Sequence, residues 1–181
     1  MSLVPIFDLD GTLIDSDAAL VAPFVALGIA EQDVTFGRLL EDECARLGIT
    51  VADYLDHYDS DAAPPFAGAA ELIGGLDRWA VCSNKIAVHG RAELDRLDWK
   101  PEVALFADDF GGPKHLGPVL DALGLAPSSA IFIGDTDHDR RCALDVGVPF
   151  VLAGWNPRAR AEPGDIVLDH PGEALALFDE S

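Results

Sequence analysis

Short apolar runs alternate along this chain with segments whose apolar residues recur at helical spacing. Residues 4–8, 79–83, 103–107, 130–134 and 149–152 read as strands, with a sixth at 165–168. Between them, residues 69–76, 87–97, 116–123, 140–146 and 171–178 carry the period of helices. This alternation predicts an α/β fold: a doubly wound parallel sheet with crossover helices. Right-handed crossovers then gather the polar strand ends on one edge of the sheet.

One interval breaks the rhythm. From Ser16 to Ala63 only helical patterns occur. Phe36, Leu39, Leu40, Cys44 and Leu47 form a stripe that Gly48 stops. Val51, Tyr54, Leu55 and Tyr58 repeat the spacing, with Thr50 and Asp53 as a cap. Leu20, Val21, Phe24 and Val25 form another stripe, in which Pro23 must sit in a first turn or kink the helix. Pro64 and Pro65 close the interval. The expected organisation is a core of residues 1–15 and 64–181, with residues 16–63 as a small helical cap inserted after the first strand.

Composition narrows the class of function. A chain of 181 residues predicts one domain, long enough for a substantial core. No apolar run reaches the roughly 18 residues that span a bilayer, and no charged-then-apolar leader precedes the first strand. A cytoplasmic protein is expected. The three cysteines lack CxxC spacing and read as reduced thiols, and the five histidines are scattered without zinc-ligand spacing. A formal net charge of −20, with lysine only at 85, 100 and 114, repels nucleic acid and anionic membranes. Neither is an expected partner.

Four polar clusters fall where the strands end: Asp8-x-Asp10-Gly11-Thr12, Ser83-Asn84-Lys85, Lys114 before a helix, and the run from Gly134 to Asp139. Any one alone reads as a turn or helix cap. Their joint occurrence, in this order on one sheet edge, makes a site for a divalent cation and a phosphoryl group. Two neighbouring carboxylates repel unless a cation or hydrogen bonds offset them. Hard carboxylate oxygens suit Mg²⁺, and hydroxyl, amide and ammonium donors suit phosphate oxygens.

"FDLDGTLIDS", "CSNK", Lys114 and "IFIGDTDHD" resemble the four ordered motifs of the haloacid dehalogenase superfamily. The helical interval is similar to the superfamily's C1-type cap, as in phosphoglycolate-phosphatase-like members, and "GWNPR" after the fifth strand also looks family-like. The resemblance implies that Asp8 is the nucleophile that becomes an aspartyl phosphate. Asp10 is then the general acid and base, with Thr12 orienting it. It implies Mg²⁺ held by Asp8, Asp135 and the Asp10 backbone carbonyl, with Asp139 in support. Ser83, Asn84 and Lys114 would hold the phosphate. Family dehalogenases lack the second aspartate, and phosphonatase-type members need a cap lysine that residues 16–63 do not contain. What remains is hydrolysis of a small phosphorylated metabolite, or phosphoryl transfer as in the mutases. Two further alternatives are a phosphoacceptor signalling domain, disfavoured by motif order, and a binding protein without turnover.

Overall fold

β1 (Val4–Phe7) is buried at every position. The chain around it, in a computed structural model, is described for residues 3–59 and 61–178. Strands β2 (Ala80–Cys82), β3 (Val103–Leu105), β4 (Ala130–Gly134), β5 (Phe150–Ala153) and β6 (Ile166–Leu168) join β1 in one parallel sheet, ordered β3-β2-β1-β4-β5-β6. Central strands covered on both faces need apolar residues in both directions, which is why their sequences read as continuous runs. Successive side chains still alternate: Phe7 and Ile133 join one apolar cluster, and Ile6 and Phe132 join the other. The first cluster includes Trp79, whose ring meets Phe7 edge-on at 6.2 Å. Burying each such side chain contributes about 1.5–3 kcal/mol.

The helices are α1 (Asp17–Ala26), α2 (Leu40–Leu47), α3 (Val51–Leu55), α4 (Ala69–Gly74), α5 (Ala87–Arg96), α6 (Ala107–Phe110), α7 (Gly117–Leu123) and α8 (Asp137–Val146). The α/β fold and parallel sheet are as expected, with differences at the margins. The third strand stops at Leu105 because Asp109 accepts the Phe106 N–H at 2.9 Å and turns the chain into α6. Pro171–Leu177 is a 3-10 helix. Phe36 and Leu39 lie before α2, since Gly37 takes φ +81°, a conformation that ends regular helix. Pro23 sits inside α1.

Residues 17–59 build a third apolar cluster of their own around Phe24, Cys44 and Tyr54. The two connections into this segment lie side by side. Asp15 N–H donates to the Pro64 carbonyl at 2.8 Å and Phe66 N–H to the Leu13 carbonyl at 3.0 Å. Cys44, Cys82 and Cys142 are free and buried. Among the described residues no helix is long and apolar enough to cross a membrane.

Candidate active site

Strand register sets the first residue of the site. Phe7 pairs with Ile133, and Asp8 N–H extends the ladder by donating to the Ile133 carbonyl at 2.9 Å. Asp8 therefore emerges at the carboxyl edge beside Gly134 and Asp135. Leu9 is fully buried and anchors the segment. Its carbonyl accepts the Leu13 and Ile14 N–H groups, both at 3.0 Å, folding the chain back at once. Gly11 is required in this turn. Its φ is +77°, and a Cβ there would stand 2.5 Å from Asp135 Oδ2.

Lys114 completes the centre. Its Nζ lies 2.9 Å from Asp8 Oδ1 and 2.6 Å from Asp139 Oδ1, with all three groups buried. Burial, with the nearby charges of Asp139 and Asp10, pushes the Asp8 carboxyl up to about 7 against the pull of Lys114. Burial and then the charges of Asp139 and Asp8 raise Asp135 as well. Burial works against the Lys114 ammonium, but Asp139 and Asp8 outweigh it and hold its pKa above the usual value. Asp139 has two tasks. Its Oδ2 accepts from Thr136 N at 2.9 Å and Thr136 Oγ1 at 2.5 Å, capping α8, while Oδ1 faces Lys114.

Carboxylate oxygens of Asp8, Asp135 and Asp139 all lie within 4.8 Å of one another. Three hard oxygen donors, whose mutual repulsion one ammonium only partly offsets, fit a hard divalent cation such as Mg²⁺. Asp10 is not in this group; its carboxylate turns to Lys85, 2.8 Å away. Thr12 differs from expectation. Its hydroxyl donates to Asp135 Oδ1 at 3.0 Å, so it orients Asp135 rather than Asp10. Asn84 is engaged at both ends of its amide: Nδ2 donates to the Gly37 carbonyl at 2.9 Å, and Oδ1 accepts Lys114 N–H at 2.7 Å. It thus ties the Lys114 loop to residues 17–59. Ser83 is buried beside it.

Above these groups lies a cavity of about 110 Å³. Asp8, Asp10, Ser83, Asn84, Lys114 and Asp135 form its floor, and Phe36, Arg38, Tyr54 and Tyr58 are among its walls. All the expected site residues except Thr12 and Asp139 line it. Several participants had no role assigned from sequence. Asn156 Nδ2 donates to Asp135 Oδ2 and to the Gly11 carbonyl, each at 2.9 Å, and Trp155 Nε1 donates to the Thr12 carbonyl at 2.9 Å. Their signal was the "GWNPR" run. Lys85 stands in the Ser83-Asn84-Lys85 cluster but had no role assigned, and Glu93 was not singled out; a glutamate three residues from Gly90 on the buried side of α5 was the available sign.

No known protein-family profile matches the chain. It is 30% identical over 184 residues to a phosphoglycolate phosphatase of Caulobacter vibrioides, covering 82% of this chain and 78% of that protein. It is 24% identical over 215 residues to an N-acetylmuramic acid 6-phosphate phosphatase of Pseudomonas aeruginosa, covering 97% and 94%. Its fold matches a haloacid dehalogenase-like hydrolase of Streptococcus pneumoniae with a TM-score of 0.81 at 23% identity, over 98% of this chain and 99% of that one. Sequence and fold agree on one ancestry: the chain belongs to the haloacid dehalogenase superfamily, as a phosphoglycolate-phosphatase-like phosphomonoester hydrolase.

Proposed function

We propose that this chain is a Mg²⁺-dependent phosphatase of a small phosphorylated metabolite that works through an aspartyl phosphate on Asp8. The observation that carries the reading is the buried Asp8–Lys114–Asp139 array beside Asp135, at the floor of a cavity. Asp8 attacks phosphorus, and the bond from phosphorus to the ester oxygen breaks. Asp10 gives that leaving oxygen its proton. Asp10 then takes a proton from water, which attacks the phosphoryl group; the bond to Asp8 breaks and inorganic phosphate leaves. Lys114, Ser83 and the Asn84 amide hold the phosphoryl oxygens, Asn84 through its backbone N–H because its side chain is engaged at both ends, and Thr12 and Asn156 keep Asp135 in place. Asp8, Asp135 and the Asp10 carbonyl hold Mg²⁺ with Asp139 in support, and the bound ion supplies neutralisation of phosphoryl charge.

Residues 16–63 serve as the cap, joined to a core of residues 1–15 and 64–181 through the paired connections at 13–15 and 64–66. Walls from that segment enclose the cavity, which excludes bulk water and favours small esters. The substrates named for two relatives, phosphoglycolate and N-acetylmuramic acid 6-phosphate, are small phosphomonoesters and support this class.

The test is initial-rate measurement on a panel of small phosphomonoesters and on phosphopeptides, with Mg²⁺ and with excess chelator. Turnover of the small esters, lost in chelator and restored by Mg²⁺, is expected. Full activity at negligible metal content overturns the metal reading, and preference for phosphopeptides overturns the cap reading.

A further inference from the structure

Lys85 is a buried ammonium to which the mechanism above gives no task. Its Nζ lies 2.8 Å from Asp10 Oδ1, 2.9 Å from Glu93 Oε1 and 2.8 Å from the Tyr58 hydroxyl. Two of its N–H groups donate to Asp10 and Tyr58, and the Glu93 carboxylate lies within ion-pair distance. The Tyr58 hydroxyl accepts from Lys85 and donates to Glu93 Oε1 at 3.1 Å, closing a ring of three polar groups. Glu93 is fully buried on α5. The Tyr58 ring is held between Tyr54, stacked at 5.8 Å, and His89, edge-on at 5.0 Å.

Stability explains this poorly. Desolvating buried ions costs about as much as their attraction returns, so a buried ammonium between two acids is weak as a stabiliser. Glu93 alone would neutralise Lys85. What the second acid gains is direction, because one carboxylate oxygen of Asp10 is fixed on the Tyr58 side of the cavity, away from the cluster of Asp8, Asp135 and Asp139. A carboxylate that must meet a leaving oxygen, then a water, benefits from such constraint.

We propose that Lys85, braced by Glu93, is the positioning residue for Asp10, and that Tyr58 makes this positioning depend on residues 51–59 being seated over the cavity. The inference rests on Asp10 being the acid and base. Its consequence is that closure of the cavity and alignment of the acid are coupled: when Tyr58 withdraws, Lys85 loses an acceptor and holds Asp10 less firmly.

The experiment compares kcat/KM for phenyl phosphate and 4-nitrophenyl phosphate, nearly equal in size but different in leaving-group basicity. The phenyl-to-nitrophenyl ratio reports how much the acid helps departure. Asp10→Asn is expected to lower that ratio most. Lys85→Met lowers it by about tenfold, as misalignment of a general acid should. Tyr58→Phe, which keeps the ring packing and both ion pairs, lowers it in the same direction by a smaller factor and serves if Lys85→Met does not fold. A purely structural role would reduce both esters equally. If Asp10→Asn shifts the ratio while Lys85→Met and Tyr58→Phe do not, the inference is overturned. A shift in Lys85→Met alone overturns only the Tyr58 coupling. An unchanged ratio in Asp10→Asn overturns the acid assignment beneath it.

Discussion

Every residue of β1 and β4 is buried, whereas α1, α2 and α3 bury only Val21, Pro23 and Phe24, then Glu43 and Cys44, then Tyr54. The sheet carries Asp8, Ser83 and Asp135 at the ends of β1, β2 and β4, where pairing on both sides fixes the backbone. Residues 17–59 contribute side chains to the same cavity from a cluster with three buried members. The groups proposed to meet the phosphoryl group and its cation therefore stand on the stiff region. On the proposed reading, the groups that would let substrate in and product out stand on the region with less apolar burial, where local opening is expected to cost less free energy.

The sharpest test of that division is Asp8→Asn. The stiff region tolerates an amide of nearly the same shape, so the variant should keep its melting temperature while kcat falls by about 10⁴-fold or more. Kinetics beside a thermal melt reads both; near wild-type kcat would remove Asp8 from the nucleophile role. Next in size is the contrast between Phe132→Ala and Phe24→Ala. Phe132 is fully buried in the sheet, and its truncation should cost about 3–5 kcal/mol of global stability. Phe24 packs on Tyr54 at 4.7 Å in the smaller cluster. Its truncation should raise amide exchange chiefly within residues 17–59 and lower global stability less. Equal global losses in denaturant titrations would mean that the two regions unfold as one.

Gly134→Ala probes the join between strand and site. An added Cβ would stand 2.4 Å from the Asp139 Cβ and Cγ atoms, so α8 or the β4 end must shift. A loss of about 1–3 kcal/mol is expected, together with lower kcat because Asp139 holds Lys114. Unchanged stability and kcat would show that the site yields more readily than its burial implies.

The smallest effect belongs to Glu43. Burial pushes its carboxyl up, but hydrogen bonds from Arg46 and Thr35 outweigh burial and hold it below its ordinary value of 4.5. A carboxyl depressed in the folded state stabilises fully above that value, and the contribution is lost as pH falls through the folded pKa. Glu43→Gln should therefore cost about 1 kcal/mol near neutral pH, and its difference from wild type should narrow in acid. Local exchange rates in residues 17–59 at two pH values check the sign.

The strands and the turn that follows β1 were legible because their signals are local. A run of apolar residues buried on two faces looks the same whatever packs upon it, and "DLDGT" carries its turn within five residues. Helix limits near Phe36 and Ala107 were not, since the left-handed Gly37 and the Asp109 hydrogen bond to Phe106 are decided residue by residue. The role of Thr12 was misread for a related reason. Asp10 is two residues away in sequence, but the partner that its hydroxyl meets, Asp135, is 123 residues away.

By itself, then, the sequence determined the parallel α/β sheet, the edge on which the polar strand ends gather, and the phosphate chemistry that their residue types support. Periodicity and spacing are properties of short segments, and right-handed crossovers carry them to one edge without reference to side-chain detail. The tertiary structure decided which acids share a centre and which are drawn away from it. Asp139 entered the carboxylate group through the start of α8, and Asp10 turned to Lys85, 75 residues distant. Those choices depend on the register of β1 against β2 and β4, and on where Tyr58 comes to rest. A buried charge takes whichever partner the packed chain brings within about 3 Å, and only the assembled fold sets that distance.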